Sequence, residues 1–242
     1  MKKFAIFIPA RYKSSRFPGK PLAKINKKEM LLWVYEKCNK TYPEKVFVLT
    51  DDTRITKFCI MKKIPYYLTS KKCKTGTDRI IEISKKLKLD YYINVQGDEP
   101  LIEPKNIKKF VRNSLKLKTI SIAKSEIDNK SYLNRNIPKI VTNNKNELMY
   151  ISRSPLPGLK IKLNNIKIYG QVNLYCYPHN CLKKKYQNKK ENLEKIEDIE
   201  ILRFLEKNYK INVVLLDSNN HPVDIPADIK IVEKILNKRI NN

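Results

Sequence analysis

The chain has 242 residues, 41% of them hydrophobic and 9% aromatic, enough to pack one large α/β domain, or a domain with a small subdomain, and too apolar to stay disordered. No apolar run approaches the ~20 residues of a membrane span, and the N-terminal one stops at Pro9-Ala10-Arg11, too short for a signal peptide, so a cytoplasmic protein without membrane insertion is expected. The net charge of +27 comes from lysines spread along the whole chain, which reads as a solvated surface that attracts small anions rather than as a nucleic-acid interface.

In chain order, Phe4 to Ile8 reads as a buried first strand, followed by a loop holding Arg11, Lys13, Ser14, Ser15, Arg16, Gly19 and Lys20 among three prolines. Met30 to Asn39 reads as a helix, Lys45 to Thr50 as a strand, Arg54 to Lys62 as a helix and Pro65 to Leu68 as a short strand. Thr77 to Leu87 is an amphipathic helix with Ile80, Ile81, Ile83 and Leu87 inward. Tyr91 to Val95 is a strand, Pro104 to Leu115 a helix opened by its proline, and Thr119 to Ala123 a strand. This alternation predicts an α/β fold with a mostly parallel sheet and helices on both faces. From about Ser131 the rhythm changes. Lys139 to Val141, Leu148 to Ile151 and Ile168 to Tyr177 read as strands without helices between them, a small β-rich excursion spanning about 131–190. Leu193 to Lys207 reads as one helix, Ile211 to Leu216 as a strand and Ala227 to Leu236 as a final helix, returning the chain to the main sheet. No internal repeat or long linker divides the 242 residues, so a single domain is expected.

The first loop combines backbone N–H groups, hydroxyls and fixed positive charges, which suits a triphosphate. It follows a strand, where open α/β sheets bind ligands. It is not a Walker A loop, because Gly19-Lys20 is followed by Pro21 and no glycine precedes it at the required spacing. Asn94-Val95-Gln96-Gly97-Asp98-Glu99-Pro100 closes a strand with two adjacent carboxylates, which suits a hard cation bound to phosphates or, equally, a solvated turn. Thr75-Gly76-Thr77-Asp78-Arg79 can cap the next helix, and its N–H groups can also meet an anion or a base carbonyl. Asp224, in His221-Pro222-Val223-Asp224, is a helix-start signal or a second metal ligand opposite Asp98. Arg153 can hold a carboxylate in a bidentate pair or sit on the surface before a Pro-rich loop. Glu194 and Glu197 share a helix face and can accept from hydroxyls or simply favour the helix dipole. The five cysteines are scattered and lack a C-x-x-C pair, and two histidines are too few for a His-based metal site or triad. The one dense basic patch is Lys183-Lys184-Lys185 with Lys189-Lys190 and a single interleaved Tyr186.

Taken in order, the stretches IPARYKSSRFPGKPL, TGTDR, NVQGDEP, YISRSPLP, LEKIEDIEILR and VDIPADI resemble the CMP-Kdo synthetase family, the 3-deoxy-manno-octulosonate cytidylyltransferases, from the first strand to the last helix. The resemblance implies a Rossmann-like nucleotidyltransferase domain whose β-rich excursion makes a homodimer arm. It implies that the anomeric hydroxyl of a 2-keto-3-deoxy sugar acid attacks the α-phosphorus of CTP, with Mg2+, releasing pyrophosphate and a CMP-sugar for lipopolysaccharide or surface-glycan synthesis. By motif position, Arg11, Ser14, Arg16 and Lys20 would hold the phosphates, and Ala10, Thr77 and Arg79 would lie near cytidine. Asp98 and Asp224 would ligate the metal, with Arg11 and Lys20 completing the catalytic set. Gln96, Arg153, Tyr175, Glu194 and Glu197 would line the sugar site. The family usually has His-x-Gly-Ile-Tyr where this chain has Gln171-Val172-Asn173-Leu174-Tyr175, and a tryptophan where it has Gly158. Gln171 therefore stands in the place of the sugar-site histidine. These departures cluster in the acceptor half, so the acceptor is Kdo or a relative such as an amino-Kdo or a sialic-acid-like sugar.

Overall fold

The computed structural model describes residues 2–160, 167–182, 190–217 and 221–240. Lys183 to Lys185, Tyr186 and Lys189 of the basic patch lie outside the described residues, as do positions 161–166 of the β-rich stretch.

The strands are β1 (Phe4–Pro9), β2 (Lys24–Ile25), β3 (Lys28–Glu29), β4 (Val46–Thr50), β5 (Tyr66–Leu68), β6 (Tyr91–Val95), β7 (Ile120–Ile127), β8 (Lys139–Thr142), β9 (Leu148–Ser152), β10 (Ile168–Pro178) and β11 (Ile211–Leu215). The helices are α1 (Met30–Thr41), α2 (Thr53–Met61), α3 (Gly76–Lys86), α4 (Pro104–Ser114), α5 (Asn129–Leu133), α6 (His179–Leu182), α7 (Asn192–Glu197), α8 (Leu202–Leu205) and α9 (Ala227–Ile240). The main sheet runs β11-β7-β10-β6-β1-β4-β5, with β8 joined to β10 and β9 to β8.

β1 is central and parallel to both neighbours, and its continuous apolar run reflects burial on both faces. Ile6 and Ile8 pack with Leu31 and Val34 of α1 and Phe110 of α4, while Ala5 and Phe7 pack with Ile80 of α3 and Phe204 of α8. Helices therefore cover both faces, as the alternation predicts. A third cluster joins Ile25 and Met30 to Val223 and to Val232 and Leu236 of α9. It carries the chain's last segment back onto the opening loop.

β10 is a main-sheet strand, antiparallel to both β6 and β7. It splits the parallel set β5-β4-β1-β6 from the parallel pair β7-β11. Apolar periodicity reports burial and not strand direction, so this reversal is a structural finding. The sheet path is also bent there: Val172 faces Ala123 while Tyr175 faces Ile122, leaving Asn173 and Leu174 extra on the β7 side, as in the bulges that re-aim side chains near sites.

The single helix expected over 193–207 is broken in two. Asp198 sits in the left-handed region at φ 51 between α7 and α8. The cause is Arg153, whose Nε and Nη2 donate to the carbonyls of Glu197 (2.7 Å) and Asp198 (3.2 Å), acceptors that a continuing helix needs for its own amides. β2 and β3 form a small hairpin across Asn26 and Lys27, both at positive φ.

Candidate active site

The parallel strands β1, β4 and β6 end together, at Pro9, Thr50 and Val95, and the candidate residues lie just beyond these ends. The loop after β1 closes on itself. The Gly19 N–H donates to the Tyr12 carbonyl (2.9 Å), and Gly19 sits at φ 74, where a Cβ would stand 3.2 Å from the Tyr12 ring. Arg54 covers that ring at 3.3 Å. Gly97 is needed for a second reason: a Cβ there would lie 3.2 Å from the Pro9 carbonyl, so its absence lets the loop after β6 press against the end of β1.

This folding delivers Lys20 to the two aspartates. Its ammonium donates to Asp98 Oδ2 (2.7 Å) and to the Val223 carbonyl (2.5 Å), and stands 3.9 Å from Asp224 Oδ1. Arg16 reaches Asp224 Oδ1 at 3.2 Å. The backbone closes the circle, with Val223 N–H donating to the Asp98 carbonyl (3.0 Å). Residues 126 apart in the chain thus share one locus, as 224 − 98 = 126. Asp98 Oδ1 is buried with no hydrogen-bond partner. Burial raises the Asp224 pKa, and the Asp98 charge adds to it. A divalent cation bound there would meet the open oxygen and relieve both effects, so the donor set fits a hard cation held by two carboxylates and completed by ligand phosphates. Among the described residues there is no larger group of metal-ligating side chains.

Arg16, Gln96, Asp98, Arg153, Gln171, Tyr175 and Asp224 line one cleft of about 280 Å³. Ala10, Arg11, Ser14 and Lys20 line an adjoining recess that shares Gln96 and Asp98 with it. Among the described residues no carboxylate oxygen is paired with the Arg153 guanidinium, which donates to the carbonyls of Glu197, Asp198 and Arg135. Three of its five N–H groups are used, and the others remain for an anion. Gln171 Nε2 donates to the Tyr175 hydroxyl (2.7 Å). Burial raises the Tyr175 phenol well above its ordinary value, with the Glu200 charge adding to it. The bulge in β10 is tied to the loop after β6 by Gln96 N–H to the Asn173 carbonyl and Asn173 N–H to Glu99 Oε1, both 3.2 Å. Glu99 is fully buried, and burial followed by the Asp98 charge pushes its pKa up to about 8.

Four expected site residues have other commitments. Glu194 does not reach the cleft; it is fully buried and both its oxygens accept from Arg203. Arg203 also donates to Asp78 Oδ1 (2.6 Å) and Thr75 Oγ1 (3.2 Å). Burial opposes the Arg203 charge, and the Glu194 and Asp78 carboxylates more than offset it, so its pKa rises further. Glu197 also faces away from the cleft, because its carboxylate accepts from the Ser152 hydroxyl and from Arg153 N–H (2.9 Å). The Thr77 hydroxyl is bonded to the Tyr177 hydroxyl (2.9 Å) inside the core, and its backbone N–H donates to Glu200 (2.6 Å). Arg79 is almost wholly buried, with one nitrogen on Asp51 (2.8 Å) and another on Thr69, although it edges the recess formed by Ala10, Arg11 and Gly76.

Glu200 is the acid that sequence reasoning missed. Its carboxylate accepts from Gly76 N–H (3.1 Å) and Thr77 N–H (2.6 Å) at the start of α3, and it borders both the main cleft and the Ala10–Gly76 recess. The signal was the third member of the 194, 197, 200 spacing. The break at Asp198 turns that third acid, and not the first two, toward the cleft.

A mostly parallel sheet with a cationic loop after its first strand and two converging aspartates is the arrangement of a nucleotidyltransferase. HddC from Yersinia pseudotuberculosis, solved with GMP-PN, has the same fold, with a TM-score of 0.71 at 16% identity over 97% of this chain and 99% of its own. Residues 5–211 match the sequence profile of the cytidylyltransferase family, and the chain belongs to that family, within its 3-deoxy-manno-octulosonate cytidylyltransferases. It is 37% identical to the 3-deoxy-manno-octulosonate cytidylyltransferase of Geobacter metallireducens, covering 96% of this chain and 98% of the relative. It is 38% identical to that of Parabacteroides distasonis over 95% and 96%. The solved structure of CMP:2-keto-3-deoxy-manno-octonic acid synthetase complexed with CTP superimposes with a TM-score of 0.88 at 29% identity, covering 98% of this chain and 99% of that one.

Proposed function

We propose that the chain transfers CMP from CTP to the anomeric hydroxyl of Kdo or a closely related 2-keto-3-deoxy sugar acid. The anomeric oxygen forms a bond to the α-phosphorus, the bond to the pyrophosphate oxygen breaks, and the hydroxyl proton passes to solvent. The observation that carries this reading is the meeting of Lys20, Asp98 and Asp224 beside a cleft whose wall presents Arg153 with two N–H groups unused among the described residues. In this assignment Arg11, Ser14, Arg16 and Lys20 hold the phosphates, while Ala10, Gly76 and Arg79 border the base. Gln96, Arg153, Gln171, Tyr175 and Glu200 face the sugar acid. Asp98 and Asp224 would hold Mg2+, which would supply charge neutralisation on the phosphates. Phosphoryl transfer needs this positioning and neutralisation more than covalent catalysis.

Gln171 favours a second reading of the acceptor. One of its two Nε2 hydrogens is used on Tyr175, so its Oε1 can accept from a substrate hydroxyl or amine and its second N–H can donate, and an amino-Kdo or sialic-acid-like sugar fits that chemistry. A homodimer formed through the 131–190 strands, and a cytoplasmic place in lipopolysaccharide synthesis, belong to the same proposal.

Pyrophosphate release with CTP, UTP, GTP and ATP against Kdo and its amino analogue, with the product identified by mass, tests the reading. CTP with one of these acids should give a CMP-sugar. Asp98→Asn should lose about a hundredfold to a thousandfold or more in kcat with its circular dichroism intact. Full activity in that variant rejects the metal assignment, and no product from any sugar acid rejects the function.

A further inference from the structure

Lys139, in β8, is completely buried. Its ammonium donates to the carbonyls of Asn134 (3.0 Å), Ile137 (2.7 Å) and Arg153 (2.8 Å). An ammonium has three donors, and here each has an acceptor. No carboxylate among the described residues lies within ion-pair distance of it; burial lowers its pKa, the Arg153 charge acts the same way, and the Glu197 charge opposes them. An unpaired buried cation is costly, and an apolar side chain of similar length would fill the space at lower cost. Packing alone therefore does not account for a lysine here.

Its three acceptors sit around the cleft. Asn134 and Ile137 bracket the loop whose residues Asn136, Ile137 and Pro138 line it. The Pro138 carbonyl accepts from Gln171 N–H (2.8 Å), fixing a second cleft residue to the same loop. The third acceptor belongs to Arg153. That residue is consequently clamped on both sides: its N–H donates to the Glu197 carboxylate (2.9 Å), and its carbonyl accepts from the Lys139 ammonium. A backbone held by a charged group at each end gives the guanidinium a fixed base, and the carbonyls of Glu197, Asp198 and Arg135 fix its head.

We propose that Lys139 is a positioning residue for the acceptor's carboxylate: it locks Arg153 and the 134–138 wall into the geometry that receives the anion, and adds a second buried positive charge behind it. This rests on the proposed function, since it needs a sugar acid in the cleft. Lys139 touches no reacting atom, and its effect passes through Arg153.

The test compares wild type with Lys139→Met, which keeps the length and removes the donors. Steady-state constants are measured for CTP, for Kdo, and for Kdo methyl ester, whose carboxylate is masked. The KM for Kdo should rise by about tenfold or more, the size of losing charge-assisted hydrogen bonding, while the KM for CTP stays within about twofold. With the methyl ester, variant and wild type should agree within about twofold, because the anion that Arg153 reads is gone. An unchanged KM for Kdo, an equal penalty on the ester, or parallel losses for CTP and Kdo each overturn the proposal. Should Lys139→Met fail to fold, Lys139→Gln, which removes the charge and at least one of the three donations, should still raise the KM for Kdo by about threefold or more without moving that for CTP, and an unchanged KM for Kdo there overturns the proposal. Wild-type turnover on Kdo separates the two levels. If wild type turns over and the variant matches it, only the role of Lys139 falls; if wild type turns over no sugar acid, the proposed function falls and this inference with it.

Discussion

Arg203→Met is the perturbation whose size follows most directly from the structure. The arginine side chain is 2% exposed and pairs with Glu194 and Asp78, themselves 1% and 8% exposed. Its removal strands two buried carboxylates, but not equally. Asp78 Oδ2 keeps the N–H groups of Lys74 and Thr75, both at 2.9 Å, whereas both oxygens of Glu194 rely on Arg203. Breaking a buried pair from one side costs about 3–5 kcal/mol. In a chain of this length each kcal/mol is worth about 2–4 °C of Tm, so the variant should melt roughly 6–20 °C lower. Since Glu194 is the worse stranded group, Glu194→Gln on top of Arg203→Met should recover more of that loss than Asp78→Asn on top of it. The triad also holds α7 and α8 against the start of α3, where Glu200 sits on Gly76 and Thr77. The KM for CTP should therefore rise even at temperatures where the variant is folded. Calorimetry and urea titration read the stability, and initial rates read the KM. A Tm loss under about 2 °C, or a Glu194→Gln double variant no more stable than the single one, would refute the account of Arg203 as the counter-ion that clamps the two carboxylates.

Glu99 makes stability depend on pH. Its folded pKa, about 8, lies above the ordinary 4.5, so between these values the native state keeps a proton that the unfolded chain has released. The contribution is complete below about 4.5 and is lost as pH rises through about 8. Urea midpoints should fall across that window in wild type, and Glu99→Gln should flatten the fall; parallel curves count against the assignment. Gln171→Leu removes the donor to the Tyr175 hydroxyl and a polar contact for the acceptor. It should raise the KM for the sugar acid by about 2- to 12-fold, the worth of one neutral hydrogen bond, and leave the KM for CTP alone. An equal change in both constants would show that Gln171 acts through β10 as a whole.

The helices and parallel strands from Phe4 to Ala123 were legible from the alternation of apolar runs with amphipathic stretches, and the runs of β1, β4 and β6 close at or just before Pro9, Asp51 and Gly97. The meeting of Asp98 with Asp224 was legible only through the order of the motifs, since the cluster of Ile25, Met30, Val223 and α9 that joins them is long-range. The direction of β10 left no trace, because a strand buried on both sides shows the same pattern in either sense. The 24–29 hairpin was hidden because its turn uses Asn26 and Lys27 at positive φ without a glycine. The acids of 193–207 were misplaced for one reason: a regular helix puts Glu194 and Glu197 on one face, but Arg153 takes the carbonyls that such a helix needs. Glu200 and Lys139 owe their settings to partners far away in the chain, and composition reports nothing of such partners.

The reversed strand separates two tasks that share one cavity. Asp98 and the cationic loop hang from β6 and β1, while Gln171, Asn173 and Tyr175 belong to a ribbon of opposite polarity beside them. Under the proposed assignment, changes to the side chains of that ribbon would retune which acid is taken up while its backbone ties to Gln96 and Glu99 stay in place, and a protein engineer seeking new acceptors has a short, contiguous stretch to randomise.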